Sequence, residues 1–173
     1  SIPSEIGNLS NLDYLDLSYN EFTGSIPSEI GNLVNLESFN IYNNEITGNI
    51  PPEIGQLSNL TYLNLDFNEL SGTIPPEIGN LTNLNRLQLM GNQITGTIPS
   101  EIGNLTNLTR LWIQGNQLSG VVPESICDLN INWSSSISFR IYNNELCPPY
   151  PSCIEDEMGE QDTLQCPNCI AED

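Results

Sequence analysis

A 24-residue repeat is the feature that most limits how this 173-residue chain can fold. The segment from Ser1 to Gly24 returns four more times without a gap. A sixth copy begins at Val121 and contains four extra residues, and the residues from Tyr150 to Ile154 overlay the start of a seventh. One repeat of this length cannot bury its own apolar side chains. The copies must therefore stack and share a continuous core.

The pattern inside each repeat predicts one short strand and one helical turn. Leu12, Leu15 and Leu17 have the spacing of a strand that sends alternate side chains inward. The asparagine that follows them, Asn20 in the first copy, suits a bend where backbone groups need partners. Ile-Pro then predicts a second extended stretch, and the remaining Ile-Gly-Asn-Leu is long enough only for a single helical or 3₁₀ turn. The second position of the strand motif should form one buried column, made of Leu15, Phe39, Leu63, Leu87 and Leu111.

The pattern L-x-x-L-x-L-x-x-N-x-L-x-G-x-I-P resembles the plant-type leucine-rich repeats of receptor-kinase ectodomains, polygalacturonase-inhibiting proteins and secreted proteins, bacterial ones included. The resemblance covers residues 1–146, which we interpret as a solenoid of six repeats with an irregular sixth. It implies an α/β solenoid, a right-handed superhelix with a concave parallel β-sheet of about six strands and convex 3₁₀ turns. It also implies that the concave face recognises a ligand. Residues 147–173 are assigned to a Cys-rich, acidic C-terminal cap and tail.

All five cysteines lie in the last third of the chain. Such clustering at one end of a repeat array predicts a disulfide-stapled cap that forms in an oxidising compartment. Cys127 and Cys153 fall in successive turns, which predicts a bridge between them. Cys147 should then pair with Cys166 or with Cys169, and one cysteine is left over. We predict no zinc site at the C-x-x-C of residues 166–169, because zinc needs two further ligands.

The charge of the chain excludes several classes of function. It has 22 acidic residues, three arginines, no lysine and no histidine, for a net charge of -19. This charge argues against nucleic-acid binding and against attraction to anionic membranes. No apolar run is long enough for membrane insertion. Without histidine, lysine or a Gly-rich phosphate loop, we expect neither an enzyme nor a cofactor.

Strand alternation predicts which side chains face a ligand. They are the two residues before the second leucine, the residue between the second and third, and the two before the asparagine. Asn64, Asp66, Gln88 and Gln114 are among the positions that should be exposed. All three arginines and seven of the 12 aromatic residues also fall on these positions, and both types are enriched at binding interfaces. The candidate ligand-binding residues are Tyr14, Tyr42, Tyr62, Phe67, Arg86, Arg110, Trp112, Arg140 and Tyr142.

Adjacent parallel strands lie about 4.8 Å apart, so Arg86 and Arg110 should be close neighbours that repel unless an anion bridges them. A protein, peptide or anionic glycan ligand follows from this interpretation. In the alternative, the arginines are solvated surface residues that pair with acids such as Glu101. Acidic residues of the face lie toward its N-terminal half and arginines toward its C-terminal half, which would orient a partner.

Other regular columns support competing hypotheses. The column Glu5, Glu29, Glu53, Glu77 and Glu101 is predicted to be a solvated face. Asparagine columns that begin at Asn8 and Asn11 could order water or ice, which makes ice binding a minor alternative. A structural role is the main rival, with end-to-end association through the leucines and strand edges at the N-terminal end.

The cysteines favour an extracellular or cell-surface location, where sequons would accept glycans at Asn8, Asn59, Asn80, Asn104, Asn107 and Asn132.

Overall fold

A computed structural model gives the placement of residues 1–166. Residues 167–173 lie outside the described part, and with them Cys169 and the end of its C-x-x-C motif. No helix within the described residues is long and apolar enough to cross a membrane.

Six parallel strands, one from each repeat, form the main sheet in the order β1-β3-β5-β7-β9-β11. Leu15 is the Cα partner of Phe39, which in turn pairs with Leu63, and this row continues through Leu87 and Leu111. All five side chains are buried, so the predicted column is confirmed. The strands are β1 (Tyr14–Asp16), β3 (Ser38–Asn40), β5 (Tyr62–Asn64), β7 (Arg86–Gln88), β9 (Arg110–Trp112) and β11 (Phe139–Arg140).

Two three-stranded parallel sheets follow the bend of each repeat, in the orders β2-β4-β6 and β8-β10-β12. We expected the second extended stretch to start at Ile-Pro, but these strands end before that dipeptide. Proline has no N–H to donate to a ladder, and its fixed φ begins the following turn instead. The strands are β2 (Thr23–Gly24), β4 (Glu45–Asn49), β6 (Glu69–Ser71), β8 (Thr95–Gly96), β10 (Gln117–Val121) and β12 (Glu145–Cys147).

Short 3₁₀ helices carry the chain along the convex side. In each of the first six, an extended proline precedes the turn, and the N–H of the next leucine closes it on the isoleucine carbonyl, as Leu33 does on Ile30 at 3.1 Å. The 3₁₀ helices are η1 (Ser4–Asn8), η2 (Ser28–Asn32), η3 (Pro52–Gln56), η4 (Pro76–Asn80), η5 (Ser100–Asn104), η6 (Glu124–Asp128) and η7 (Glu155–Glu157).

A ladder of buried asparagines joins successive repeats. The Nδ2 group of Asn92 donates to the carbonyl of Leu65 in the preceding repeat (3.0 Å) and to Leu89 in its own (3.1 Å). Its Oδ1 accepts from the N–H of Leu70 at 3.0 Å. Asn68, Asn116 and Asn144 make the equivalent contacts. We call this the asparagine ladder; it satisfies backbone groups that would otherwise be buried without partners.

The cap continues the same ladder and is fastened by two disulfides. Gln161 donates to the carbonyl of Ile141 at 3.1 Å, and its Oε1 accepts from the N–H of Leu146 at 3.4 Å. The disulfides are Cys127–Cys153, which joins the two cysteines paired from the sequence, and Cys147–Cys166, which takes the first of the two partners left open for Cys147.

Asn92→Ala should lower the free energy of unfolding by about 3–5 kcal/mol, because it leaves a buried N–H and a buried carbonyl without partners. Equilibrium urea denaturation measures this change. Asn20 is the matched control, since it is exposed and donates only to Leu17 and Ser18 in its own repeat. An equal loss in Asn20→Ala would show that the contacts between repeats do not carry the stability.

Replacing Cys127 and Cys153 together by serine should cost about 3–4 kcal/mol, the chain-entropy value for closing a loop of this length. The two residues are 26 apart in sequence. Urea denaturation of the oxidised double variant against the oxidised native chain gives the difference. An unchanged denaturation midpoint would show that the bridge does not stabilise the cap.

Candidate ligand-binding face

The outward side chains of the six-stranded sheet form rows that run across the strands. The register pairs each residue with its counterpart 24 positions later, so counterparts lie side by side. The first row is Tyr14, Ser38, Tyr62, Arg86 and Arg110, and the second is Asp16, Asn40, Asn64, Gln88, Trp112 and Arg140. A third, just after the strands, contains Ser18, Tyr42, Asp66, Met90, Gln114 and Tyr142.

Two arginines lie against one tryptophan at the C-terminal end of this face, and a third arginine lies beside one of them. The guanidinium of Arg140 lies 4.2 Å from the ring centroid of Trp112, and that of Arg110 lies 4.9 Å from it. Arg86 is the Cα partner of Arg110, so the predicted adjacency is confirmed. We call Arg86, Arg110, Trp112 and Arg140 the arginine cluster.

Hydrogen bonds to the irregular sixth repeat hold the arginine cluster in place. The indole N–H of Trp112 donates to the carbonyl of Ile137 at 3.0 Å, and Nε of Arg140 donates to that of Ser136 at 2.6 Å. Both acceptors lie between Ile131 and Phe139, a longer connection than the other repeats have. The longer connection of repeat six thus supplies the carbonyls that orient these two side chains.

The arginines of the cluster make no direct ion pair with a neighbouring acid, although the charge of Arg140 acts on the buried Asp66 and opposes the rise of its pKa. Among residues 1–166, none of the three guanidinium groups forms an ion pair, and the expected alternative of pairing with Glu101 is not observed. Partial burial, and then the charge of Arg86, lower the pKa of Arg110. A lowered pKa means that the cationic form of this group is destabilised by its surroundings.

A depression of about 450 Å³ adjoins the cluster on the first row. Its walls are Thr61, Tyr62, Asn85 and Arg86. The Tyr62 hydroxyl accepts a hydrogen bond from Nδ2 of Asn64 at 2.9 Å, which fixes the ring. An anionic side chain that enters this depression would meet the Arg86 guanidinium beside an aromatic wall.

Aromatic residues gather separately in the N-terminal half of the face. The ring centroids of Tyr19 and Tyr42 are 4.9 Å apart, and those of Tyr42 and Phe67 are 5.6 Å apart, both edge to face. The ring of Phe67 extends over Gly91, where an added Cβ would lie 2.9 Å from Cδ1 of Phe67. We call Tyr19, Tyr42 and Phe67 the aromatic ridge.

Besides Tyr62, which lines the depression, two candidate residues belong to neither group. The hydroxyl of Tyr14 donates to Asp16 at 3.1 Å, at the first strand of the sheet. Tyr142 lies against Gly159 of the cap, where an added Cβ would be 2.7 Å from its own Cβ. The face is therefore divided into an aromatic ridge and an arginine cluster, with Tyr14 and Tyr142 at its two ends.

Four polar side chains of the face are buried, although alternation predicted them to be exposed. Asn64, Asp66, Gln88 and Gln114 are each less than 7 % exposed. The asparagines of the second row cap the bend by accepting the N–H two residues later, as Asn64 does for Asp66 at 3.0 Å. Gln88 is one methylene longer than these residues. It donates to Oδ2 of Asp66 instead (3.0 Å), and Oδ1 of Asp66 accepts the N–H of Met90 (2.6 Å).

This arrangement gives the face its most perturbed carboxyl group. Burial raises the pKa of Asp66 to about 6, against the opposing effect of its hydrogen bonds to Met90 and Gln88. Asp16, which is exposed, shows the reverse: hydrogen bonds from Ser18 lower its pKa. The sequence carried a signal for the difference, because residue 88 is glutamine where the two preceding repeats have asparagine.

One of the two asparagine columns of the convex side, the column that begins at Asn11, is explained by the fold. The amides of Asn35, Asn59, Asn83 and Asn107 donate to the carbonyls of Ser10, Val34, Ser58 and Thr82, each in the preceding repeat. This second ladder fastens the turns to one another. The regularity of this column therefore has a structural cause. Asn8, Asn32, Asn80 and Asn104 of the other column are exposed and make no side-chain hydrogen bond within residues 1–166.

Comparisons with known proteins agree with the geometry. The sequence model for the leucine-rich repeat region matches residues 3–130. The ectodomain of the Arabidopsis thaliana receptor kinase GASSHO1/SCHENGEN3, solved with CASPARIAN STRIP INTEGRITY FACTOR 2, is 40% identical and gives a TM-score of 0.80. That alignment covers 84% of this chain and 17% of the receptor chain.

Two further plant structures are similar. The peptide hormone receptor RGFR1 in complex with RGF2 is 37% identical over 91% of this chain and 25% of its own, with a TM-score of 0.82. A plant ice-binding protein is 33% identical over 84% of this chain and 46% of its own, with a TM-score of 0.73. This chain thus spans only a quarter or less of the two receptor ectodomains. No curated protein sequence matches it significantly.

Asp66→Asn should change how stability depends on pH. Because the folded-state pKa of Asp66 is raised to about 6, its contribution is fully present below the ordinary value of 3.8 and is lost as pH rises through 6. The native chain should therefore lose about 2 kcal/mol relative to Asp66→Asn between pH 4 and pH 7. Urea denaturation across this range measures the difference.

Asp16→Asn is the control with the opposite sign. The pKa of Asp16 is lowered, so its contribution is present above the ordinary value and is lost as pH falls below it. Parallel pH profiles for the native chain and Asp66→Asn would show that Asp66 titrates normally and is not buried in the folded protein.

Proposed function

Because the chain belongs to the leucine-rich-repeat family, we propose that it is an extracellular recognition module that binds a peptide or protein ligand on its concave face. The similar receptor ectodomains were solved with CASPARIAN STRIP INTEGRITY FACTOR 2 and with RGF2, which supports a peptide ligand for this chain. The two disulfides of the cap support an oxidising, extracellular location.

The unpaired arginine cluster is the observation that carries this proposal. Every basic side chain of a strongly acidic protein lies within one patch of one face. Like charges in adjacent positions destabilise a sheet, and the buried leucine column and the asparagine ladder already hold these strands together. A ligand carboxylate, sulfate or phosphate would convert the repulsion into charge-assisted hydrogen bonds.

The geometry of the cluster suits such a group. Trp112 lies against two guanidinium groups, which restricts their planes and leaves less conformational entropy to lose on binding. Arg140 uses Nε for the carbonyl of Ser136, and its two terminal nitrogens have no hydrogen-bond partner within residues 1–166. Arginine binds carboxylate and phosphate through two parallel N–H groups of this kind. The cluster therefore offers an oriented set of donors rather than a diffuse positive field.

Ligand binding is favoured over ice binding and over a purely structural role. One similar structure is a plant ice-binding protein, but in this chain the convex amides of Asn35, Asn59, Asn83 and Asn107 are engaged between repeats. A structural or assembly role does not require the arginines to share one face. The ligand hypothesis alone accounts for their position.

Selection from a displayed pool of random nonapeptides tests the proposal. The native chain should enrich peptides with an acidic residue or an acidic end. Arg110→Ala and Trp112→Ala should each reduce that enrichment at least about tenfold, the effect of losing one hydrogen bond to a charged group. Arg86→Ala should have a smaller effect, because Arg86 does not contact Trp112.

Gln93→Glu is the matched control. It makes the net charge more negative by one unit, as each arginine variant does, at a lateral position where four other repeats already have glutamate. Acidic enrichment that survives in folded Arg110→Ala and Trp112→Ala, or that falls equally in Gln93→Glu, would contradict the assignment.

A further inference from the structure

Positive and negative charge are separated along the concave face. No Lys, Arg or His precedes Arg86 in the sequence, whereas Asp13, Asp16 and Glu37 lie on or beside the first two strands of the face. A purely anionic ligand would be repelled from the strands that carry the aromatic ridge. The half of the face that precedes the arginine cluster therefore needs a ligand group of the opposite sign.

We infer that the aromatic ridge binds a lysine or arginine side chain of the same peptide whose acidic group binds the arginine cluster. The inference rests on the proposed function and specifies its ligand: a dipolar peptide with a basic residue and an acidic group at a fixed separation. An aromatic face with carboxylates nearby attracts a cation through the ring quadrupole and through charge.

The ridge is exposed, and the fold does not require aromatic residues at its two ends. Tyr19 is 72% exposed and Phe67 43%. Both adopt left-handed backbone conformations, with φ of 54° and 52°. For a bulky residue this conformation is unfavourable. Other repeats place asparagine or glycine at the same position, namely Asn43, Gly91, Gly115 and Asn143, all with positive φ. Strain of this kind is typical of positions selected for function.

The carboxylate of Asp16, on the same half of the face, is held in place by hydrogen bonds. Asp16 accepts hydrogen bonds from the N–H of Ser18 at 2.8 Å, from Asn40 at 3.2 Å and from the hydroxyl of Tyr14 at 3.1 Å. These contacts favour its charged form and fix its position on the second row. The ring of Tyr14, which is 58% exposed, stands beside it. A basic side chain on the ridge thus approaches an oriented negative charge.

The register gives the separation between the two subsites. Tyr42 and Trp112 belong to strands that are three positions apart in the sheet. At about 4.8 Å per strand, this amounts to about 14 Å, which an extended peptide spans with about four residues. Between the subsites, the ring of Phe67 covers Gly91, and the next position is Gly115, where an added Cβ would meet only the backbone of Gly91. A peptide backbone can therefore cross the strands at Gly115 without meeting a side chain there.

The nonapeptide pool that tests the proposed function also tests this inference. From the native chain, we expect enriched peptides to carry a basic residue about four positions from the acidic group. A ridge variant combines Tyr19→Asn, Tyr42→Ser and Phe67→Asn. Each replacement is the residue that another repeat has at that position, so the variant should fold, and its net charge is unchanged.

In the ridge variant, enrichment of the basic residue should fall at least about fivefold, the effect of one cation–π contact on a partly exposed ring. Enrichment of the acidic residue should remain. Asp16→Asn should reduce the basic preference more than Glu53→Gln, a convex variant that removes the same charge. Circular dichroism and thermal melting confirm that each variant is folded.

The outcomes separate this inference from the proposed function. Acidic enrichment without a basic residue at fixed spacing leaves the proposed function standing and overturns the inference. Basic enrichment that is independent of spacing, or that persists in the ridge variant, overturns it as well, because bulk charge then explains the binding. Loss of the basic preference in the ridge variant, together with loss of the acidic preference in Trp112→Ala, supports both.

Discussion

The hydrogen bonds of the asparagine ladder are the interaction on which the rest of the structure depends. Each repeat bends sharply after its strand, and the bend buries carbonyl and N–H groups that no sheet satisfies. A single buried side chain such as Asn92 meets both needs, since its amide donates to Leu65 and Leu89 and its oxygen accepts from Leu70. Because the donors and acceptors come from neighbouring repeats, the bend and the stacking are stabilised together.

This coupling keeps the main sheet in register with the sequence period. Residues 24 apart become Cα partners, so any residue type that recurs at one position of the repeat becomes a row of neighbours. For leucine the row is a continuous core. For charged residues the row destabilises the sheet, because Arg86 and Arg110 must lie side by side whether or not a counter-ion is present. Positions where a row contains residue types that the core and the bends do not require are therefore candidates for a functional role.

Two departures divide the face into regions of different chemistry. Aromatic side chains replace asparagine and glycine in the left-handed position of the first and third repeats, and they form the edge-to-face contacts of the aromatic ridge. In the fifth and sixth repeats, Trp112 and Arg140 replace amides in the second row, and the longer connection of repeat six supplies the carbonyls that orient them. Between these two regions, Gln88 does not cap its own bend but donates to the buried Asp66.

The sequence by itself determined the period, the sheet, the cap bridge between Cys127 and Cys153, and the adjacency of Arg86 and Arg110. These follow from spacing, because parallel strands of identical repeats pair in register and successive turns stack. Only the tertiary structure decided which side chains of a row are buried and which neighbours they contact. Alternation predicted Asp66, Gln88 and Gln114 to be exposed, yet they are buried, since alternation gives the direction of a side chain and not what covers it. The two guanidinium contacts of Trp112, and the use of Gln161 to continue the asparagine ladder, likewise depend on rotamers and on an irregular cap that no repeat pattern encodes.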